Sequence, residues 1–349
     1  MGLIGGSIGL AARERLEGAE VVGFGRSPER LERARRLGAI DGAAGSVEEA
    51  LAGAEVCFAC GPVGALPGQV RAALAAAGRD CAVTDVGSTK RRLVEAIDDE
   101  RFVGGHPIAG SEASGVEHAR GDLFEGAVWY LTPLARSSGL LYERLHRLIV
   151  ALGARPVAVD PATHDRLVAV FSHLPHVLAN VLVTEAAATL SEHGEALRQV
   201  GPSFRDATRV AGANTGVWTD VYLSNREAIG HEVRRFVRSL ERVADMLEGG
   251  REGEVAHWND RAADDHRRLL EAELAAGPVH ALRLTVPNRP GIVAKVAVEL
   301  GRAGVNIADL ALAPAADMRS GAMTVWIAGD GQAARARELI AGLGFPVGP

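Results

Sequence analysis

The sequence predicts three consecutive folding blocks: an α/β domain built on a parallel sheet, an all-α domain, and a small βαββαβ sandwich. Three observations carry this reading. Up to about residue 155, short β-rich runs alternate with helical ones, a pattern that favours parallel strands joined by right-handed crossovers. From about 161 to 275 the β signal gives way to long helical patterns. Beyond Ala275-Ala276-Gly277-Pro278, which reads as a linker, strand-like alternation returns. The blocks fall at 1–158, 159–276 and 279–349, and 349 residues are enough for two or three domains. With 47% hydrophobic residues but only 4% aromatic, Leu, Val and Ala must build the core. The net charge of -6 comes from interspersed acids and bases, which argues against nucleic acid as the main partner. No run of about eighteen apolar residues stands out, so no membrane span is expected. The N-terminus lacks the basic segment of a signal peptide.

In the first block, Glu20 to Gly25 reads as a strand and Pro28 to Leu37 as a charged amphipathic helix. Glu55 to Cys60 and Cys81 to Val86 are two further strands, separated by an alanine-rich helix around Val70 to Ala77. The second block contains helical patterns at His164 to Ser191, broken by Pro175, then Ser203 to Ala211, Val217 to Leu247 and Glu252 to Ala275. A helical block of this size after an α/β block of this kind often forms a second domain or a dimer interface. The third block has strands at His280 to Val286, Ile307 to Leu312 and Ala322 to Ile327, helices at Gly291 to Ala303 and Gly331 to Leu343, and a short strand at Pro346-Val347. That order is ferredoxin-like.

The chain opens Met1-Gly2-Leu3-Ile4-Gly5-Gly6-Ser7-Ile8-Gly9, which looks like the second half of the dinucleotide fingerprint G-x-G-x-x-G of a Rossmann-type domain. Gly2, Leu3, Ile4 and Gly5 are therefore candidate cofactor-binding residues. Gly2 lets a pyrophosphate approach the backbone, and Gly5 allows close helix–strand packing. The first fingerprint glycine and the first strand are missing, so the expected explanation is a start site placed too late or a trimmed fragment. The alternative is a chain whose nucleotide site has decayed. At the end of the second strand, Phe24-Gly25-Arg26-Ser27 offers no acid for a ribose 2′-OH. Arg26 with Ser27 is compatible with a 2′-phosphate, yet Arg26 could equally stack on adenine or sit in solvent, so either NAD or NADP is the expected cofactor.

The run Gly104-Gly105-His106-Pro107-Ile108-Ala109-Gly110-Ser111-Glu112 reads as a glycine-rich loop carrying one histidine, a side chain able to take a proton near pH 7. Cys57 and Cys60 spell C-x-x-C, but within a strand residues three apart point to opposite faces, so core packing is expected. With Cys81 they make three, a number that suits a reducing cytoplasm. His173 and His176 form H-x-x-H without a third ligand at a recognisable spacing, so no metal is expected.

Four more segments fall into line with these: Thr84-Asp85-Val86-Gly87-Ser88-Thr89-Lys90; His164-Asp165-Arg166 leading to Ser172-His173-Leu174-Pro175-His176; Phe204-Arg205-Asp206-Ala207-Thr208-Arg209; and Trp218 followed by Asp220. Together with G-L-I-G-G-S and G-G-H-P-I-A-G-S-E they resemble the prephenate dehydrogenase family over nearly all of residues 2 to 275. The resemblance implies hydride transfer from prephenate to NAD(P)+ coupled to loss of carbon dioxide. It makes His106 the acceptor of the hydroxyl proton, with Ser88 holding the same hydroxyl or keeping His106 in register. Ser88 could equally be a helix N-cap. Arg209 is implied as the grip on a substrate carboxylate, and His176 and Ser111 as substrate contacts. His164 reads as a capping or supporting group, His173 as a packed or capping histidine, and Trp218 as a core or interface aromatic. Gly201-Pro202-Ser203 departs from the family's glycine-rich turn before Phe204.

Val286-Pro287-Asn288-Arg289-Pro290-Gly291-Ile292 and Gly301-Arg302-Ala303-Gly304-Val305-Asn306-Ile307 resemble the ACT domain. That resemblance implies an amino-acid regulator, with tyrosine the expected one, held near Gly291, Asn306 and Ile307. A ligand-free dimerisation module is the alternative. The whole reads as a cytoplasmic homodimeric enzyme. The rivals are an arogenate or cyclohexadienyl dehydrogenase and a ligand-sensing protein with a decayed nucleotide site. A β-hydroxyacid dehydrogenase would need a helical lysine, and 161–275 contains none.

Overall fold

The computed structural model describes residues 1–110, 115–192, 201–274, 279–287, 292, 295–296, 299–300, 303, 305, 307–315 and 319–347. These divide into two compact units, Met1–Arg238 and Ser239–Pro349.

The first unit begins with α1 (Leu3–Arg15), β1 (Val22–Gly23), α2 (Pro28–Arg36), β2 (Gly42–Ala43) and α3 (Val47–Ala50). It continues with β3 (Val56–Ala59), α4 (Leu66–Ala76), β4 (Ala82–Asp85), α5 (Arg91–Glu95) and β5 (Phe102–Pro107). β6 (Val128–Thr132), α6 (Gly139–Ala151) and β7 (Arg155–Ala158) complete the α/β part. The strands form a five-stranded sheet in the order β3-β4-β5-β6-β7, with β1 and β2 paired separately as a parallel ribbon. β3, β4 and β5 run parallel, whereas β6 runs antiparallel to β5, so the expected parallel sheet is in fact mixed. β6 re-enters the sheet beside β5 in the opposite direction, and the crossover through α6 then gives a β7 parallel to β6. The predicted strand at Glu20–Gly25 shrinks to the two residues of β1, which pair with β2 and stand apart from the five-stranded sheet.

β4 is buried over its whole length, as expected for a central strand covered on both faces. One layer packs Trp129, Leu131 and Phe124 against Leu141, Leu145 and Ile149, which lie four apart along α6. The other packs Val83 and Phe102 against Leu66, Val70, Leu93 and Val94. Each such side chain contributes roughly 1.5–3 kcal/mol. Burial pushes the Cys57 and Cys60 thiols up to about 12, which keeps them protonated within this packing.

The helices of the first unit are α7 (Pro161–Val168), α8 (Leu174–Glu192), α9 (Pro202–Thr208), α10 (Thr215–Ser224) and the larger part of α11 (Arg226–Glu248). Asp160 caps α7 by accepting from the Thr163 amide at 2.9 Å, with Pro161 at the first helical position. The expected break at Pro175 does not occur; instead the helix continues through Pro175, and Ala169–His173 widens into a π-turn just before it. Proline cannot return an N–H to the preceding turn, and a π-turn absorbs that mismatch. The single helix expected from Val217 to Leu247 is two, parted at Asn225. Pro161–Glu192 is long and apolar enough, by length and composition alone, to cross a membrane, and only 22% of its most apolar stretch is buried. The polar residues scattered through it concealed that run in the sequence.

The second unit holds the end of α11, α12 (Glu252–Leu274), and strands β8 (Val279–Pro287), β9 (Ile307–Pro314) and β10 (Ser320–Ala328), followed by a helix at Asp330–Gly342. The sheet is antiparallel in the order β8-β10-β9. Where a last strand was expected, Val347 makes a single antiparallel bridge to Leu284. Helical residues Ile292, Val296 and Leu300, four apart, are buried against Leu282, Leu284, Met323 and Val325.

Candidate active site

The site forms where β4 and β5 end. Because β4 is central, its last residue, Asp85, has a carboxylate with no exposed surface, and a buried charge must find partners. Lys90, equally buried, sets its ammonium in direct contact with Asp85 Oδ2. The Gly87 amide donates to the same oxygen at 2.7 Å, and the Gly105 amide donates to Oδ1 at 3.1 Å. Desolvation holds the Lys90 ammonium below its ordinary range, against the pull of Asp85. This pair ties the loop after β4 to β5.

The predicted glycine-rich loop around His106 is a strand. Gly104, Gly105 and His106 all lie in β5, with His106 opposite Tyr130. The glycines are there for proximity: a Cβ on Gly105 would lie 2.6 Å from the Asp85 carbonyl oxygen and 2.7 Å from Thr84 Oγ1. His106 is half-buried, and its Nδ1 lies 2.9 Å from His164 Nε2. His164 has no exposed surface, and its Nδ1 lies 2.8 Å from Asp165 Oδ1. Asp165 in turn accepts from the Lys90 amide at 2.7 Å through Oδ1 and from the Arg91 amide at 3.0 Å through Oδ2, capping α5 from another helix. Burial, then the His164 ring, the Lys90 charge and His173, hold the His106 imidazolium well below the usual range, so the ring is neutral near pH 7. Burial lowers His164 as well, partly offset by Asp165.

Beyond this array the π-turn presents His173, buried, with its Nδ1 3.2 Å from Asn225 Nδ2; the same amide donates to the Asp165 carbonyl at 2.7 Å. Burial brings the His173 pKa down to about 4. His176, one turn on, stacks on Trp218 with ring centroids 3.5 Å apart, and His173 and Tyr222 meet the same indole at 6.0 and 5.3 Å. Trp218 is thus the centre of an aromatic cluster. Asp220 Oδ2 accepts from the Gly64 amide at 3.2 Å, bracing α10 against the turn after β3.

The start of α1 suits an anion. Its N-cap, Gly2, provides no side-chain cap, the first turn carries no acid, and a Cβ on Gly2 would meet nothing within 4 Å. Gly5 packs on Cys60, with a Cβ there only 3.3 Å from the Cys60 Cβ. Gly25 lies two residues past the end of β1, where a Cβ would sit 3.6 Å from the Met1 amine, so Arg26 and Ser27 follow close beside the start of α1. Arg26 is exposed; Ser27 Oγ caps α2 by accepting from the Arg30 amide at 3.3 Å. These residues fit a dinucleotide that spans from the helix start to the end of the second strand.

Ser88 is half-buried in the loop that carries Lys90, but it is not an N-cap: α5 begins at Arg91 and Asp165 caps it. Leu3 and Ile4 lie in the first turn of α1. Arg209 is exposed at the C-cap of α9. Ser111, Gly291 and Asn306 lie outside the described residues, and Ile307 opens β9. Sequence reasoning did not single out Asp85, Lys90, Asp165 or Asn225. The first three lie in the segments 84–90 and 164–166, so the signal was an acid or a lysine at a strand end or helix start.

A family model described as prephenate dehydrogenase, nucleotide-binding domain, matches residues 8–158, and one described as prephenate dehydrogenase, dimerization domain, matches residues 160–259. The chain is 29% identical to a prephenate dehydrogenase of Bacillus subtilis (strain 168), covering 97% of this chain and 94% of that protein. It is 30% identical to a prephenate dehydrogenase of Lactococcus lactis subsp. cremoris, covering 85% and 83%. Among solved structures it resembles prephenate dehydrogenase from Aquifex aeolicus in complex with hydroxyphenyl propionate and NAD+, with TM-score 0.73, 28% identity, and coverage of 77% of this chain and 95% of that one.

Proposed function

This chain belongs to the prephenate dehydrogenase family, and on that footing we propose that it oxidises and decarboxylates prephenate to 4-hydroxyphenylpyruvate with NAD(P)+ as hydride acceptor. His106 is the observation that carries the reading. It is a neutral imidazole at the end of β5, held among buried polar groups, which is what a general base needs.

His106 takes the proton of the ring hydroxyl as the hydrogen on the same carbon leaves as hydride; when bound, the nicotinamide supplies the acceptor for it. The opposite ring carbon then sheds its carboxylate, and the proton returns to the ring oxygen as the ring becomes aromatic. Ser88 steadies the hydroxyl. Arg209 grips a carboxylate, and His176, fixed by its stacking on Trp218, and Ser111 contact the substrate. Gly2, Leu3, Ile4 and Gly5 hold the pyrophosphate, while Arg26 and the Ser27 hydroxyl, still able to donate, face the ribose.

Residues 1–158 form the nucleotide-binding part, 159–276 the dimerising part and 279–349 a regulatory ACT module in a cytoplasmic homodimer. Support for the dimer comes from the exposed Val181, Leu182 and Val183 on α8, apolar surface that a second copy would cover. Support for the module comes from its β8-β10-β9 sheet with Val347 bridging the outer side of β8. Tyrosine is the proposed regulator; a melting temperature and a rate unchanged by tyrosine would count against it.

The test is turnover of prephenate and arogenate side by side with NAD+ and NADP+, following reduced cofactor and carbon dioxide. Prephenate should give one carbon dioxide per reduced cofactor. Turnover of arogenate alone would transfer the reading to the amino-bearing substrate, and failure to bind either cofactor would favour a ligand sensor.

A further inference from the structure

We propose that Asp165 and His164 are positioning residues that fix the tautomer of His106, so that His106 Nε2 carries the lone pair that receives the substrate proton. The proposal rests on the function above and deepens it.

Donors and acceptors fix where each proton sits. Asp165 Oδ1 already accepts from the Lys90 amide and Oδ2 from the Arg91 amide, so the carboxylate faces His164 Nδ1 as an acceptor. The proton between them therefore sits on His164 Nδ1. A neutral imidazole carries one proton, which leaves His164 Nε2 bare. That bare nitrogen lies 2.9 Å from His106 Nδ1, so the shared proton belongs to His106 Nδ1. The other tautomer would press two lone pairs together at that distance. His106 Nε2 is left as the free base.

The same array stabilises what the reaction makes. As the substrate O–H bond breaks and an Nε2–H bond forms, His106 gains a positive charge. Its Nδ1–H then leans toward His164 Nε2, while His164 Nδ1–H leans toward the Asp165 carboxylate. No proton leaves the array, and the one on Nε2 returns to the ring oxygen when carbon dioxide departs. The charged and titratable groups facing His106 are His164 from α7, Lys90 from the loop before α5 and His173 from the π-turn; Asp165, Asp85 and Tyr130 face His164 in turn. Lys90 opposes protonation of His106, and Asp165, acting through His164, favours it.

Three variants separate positioning from folding: Asp165→Asn, His164→Phe and His164→Gln, each followed by the pH profiles of kcat and kcat/KM and by 15N NMR of the histidine side chains. Glutamine can accept from His106 with its oxygen and donate to Asp165 with its nitrogen, and it leaves the Asp165 cap of α5 untouched. Phenylalanine can do neither. An asparagine amide can donate to His164 and reverse both tautomers. The expected result is a kcat loss of about a hundredfold for Asp165→Asn and His164→Phe, with KM little changed, well within what misassigning a catalytic imidazole tautomer costs. His164→Gln should recover most of that loss. The acidic limb of the Asp165→Asn profile should move to lower pH, a change that loss of packing would not produce. The NMR spectrum of wild type should show an unprotonated Nε2 on His106. A His164→Phe enzyme with wild-type kcat and an unmoved profile would overturn the proposal, as would a bare Nδ1 on His106. Should wild type turn over neither substrate, the function assignment fails instead, and the NMR result still decides the tautomer.

Discussion

Replacing Lys90 with methionine isolates the electrostatics beneath the site. Lys90 and Asp85 have no exposed side-chain surface; among the described residues the Lys90 ammonium pairs with the Asp85 carboxylate, which also accepts from two backbone amides. Methionine fills much of the lysine stem's volume, so the main loss is the cation. Removing one partner of a buried pair typically costs about 3–5 kcal/mol, because the other charge is stranded. For a unit of this size each kcal/mol moves the melting temperature by roughly 2–4 °C, so Lys90→Met should melt about 10 °C lower in calorimetry at pH 7. The double variant Asp85→Asn/Lys90→Met, which strands no charge, should regain most of that. The Lys90 charge also holds His106 and His164 down, so its removal should move the acidic limb of kcat/KM to higher pH. A loss below about 1 kcal/mol, or a double variant no more stable than the single one, would refute the reasoning.

Other outcomes follow from the same geometry. An unfolded imidazole takes up a proton as pH falls through about 6.5, whereas folded His173 resists until about 4, so the unfolded state binds more protons in that window and stability falls with pH. Denaturant unfolding between pH 7 and 4 should show a loss of about 3 kcal/mol from this residue, and a His173→Gln variant with an unchanged slope would contradict it. In Gly9→Ala the new Cβ would run into the Ala39 carbonyl oxygen, forcing α1 off the turn after α2. Overpacking of this kind should cost about 1–3 kcal/mol, read by thermal unfolding, and should weaken cofactor binding more than substrate binding. Arg209→Ala should raise KM for prephenate at least tenfold with a smaller change in kcat, because it removes a binding contact rather than the base; an unchanged KM would remove Arg209 from the site.

Periodicity made much of the scaffold legible. The charged face of α2, the alanine-rich α4 and the β-rich runs at β3 and β4 all lie within a residue or a few of where the pattern put them. What local pattern could not supply was direction. Nothing in Val128–Thr132 announces that it pairs antiparallel with β5, and Gly104-Gly105 reads as a loop until Asp85, Thr84 and Trp129 are found crowding it. The site was legible in the same uneven way. His106 stood out because imidazole chemistry is visible from residue type alone. Its supports did not, because Lys90 and Asp165 are 75 residues apart and His106 and His164 are 58 apart, and only the fold closes those gaps. Asn225 was hidden inside a pattern apolar enough to read as one helix, although its buried amide links His173 to the Asp165 carbonyl.

The most direct measurement is single-turnover reduction of the bound nicotinamide by prephenate in wild type and His106→Asn, with equilibrium binding of both ligands measured alongside. Asparagine fits the strand but cannot accept the hydroxyl proton. The account predicts binding within a few-fold of wild type and hydride transfer slower by about a hundredfold or more. Hydride transfer at the wild-type rate in His106→Asn would contradict it.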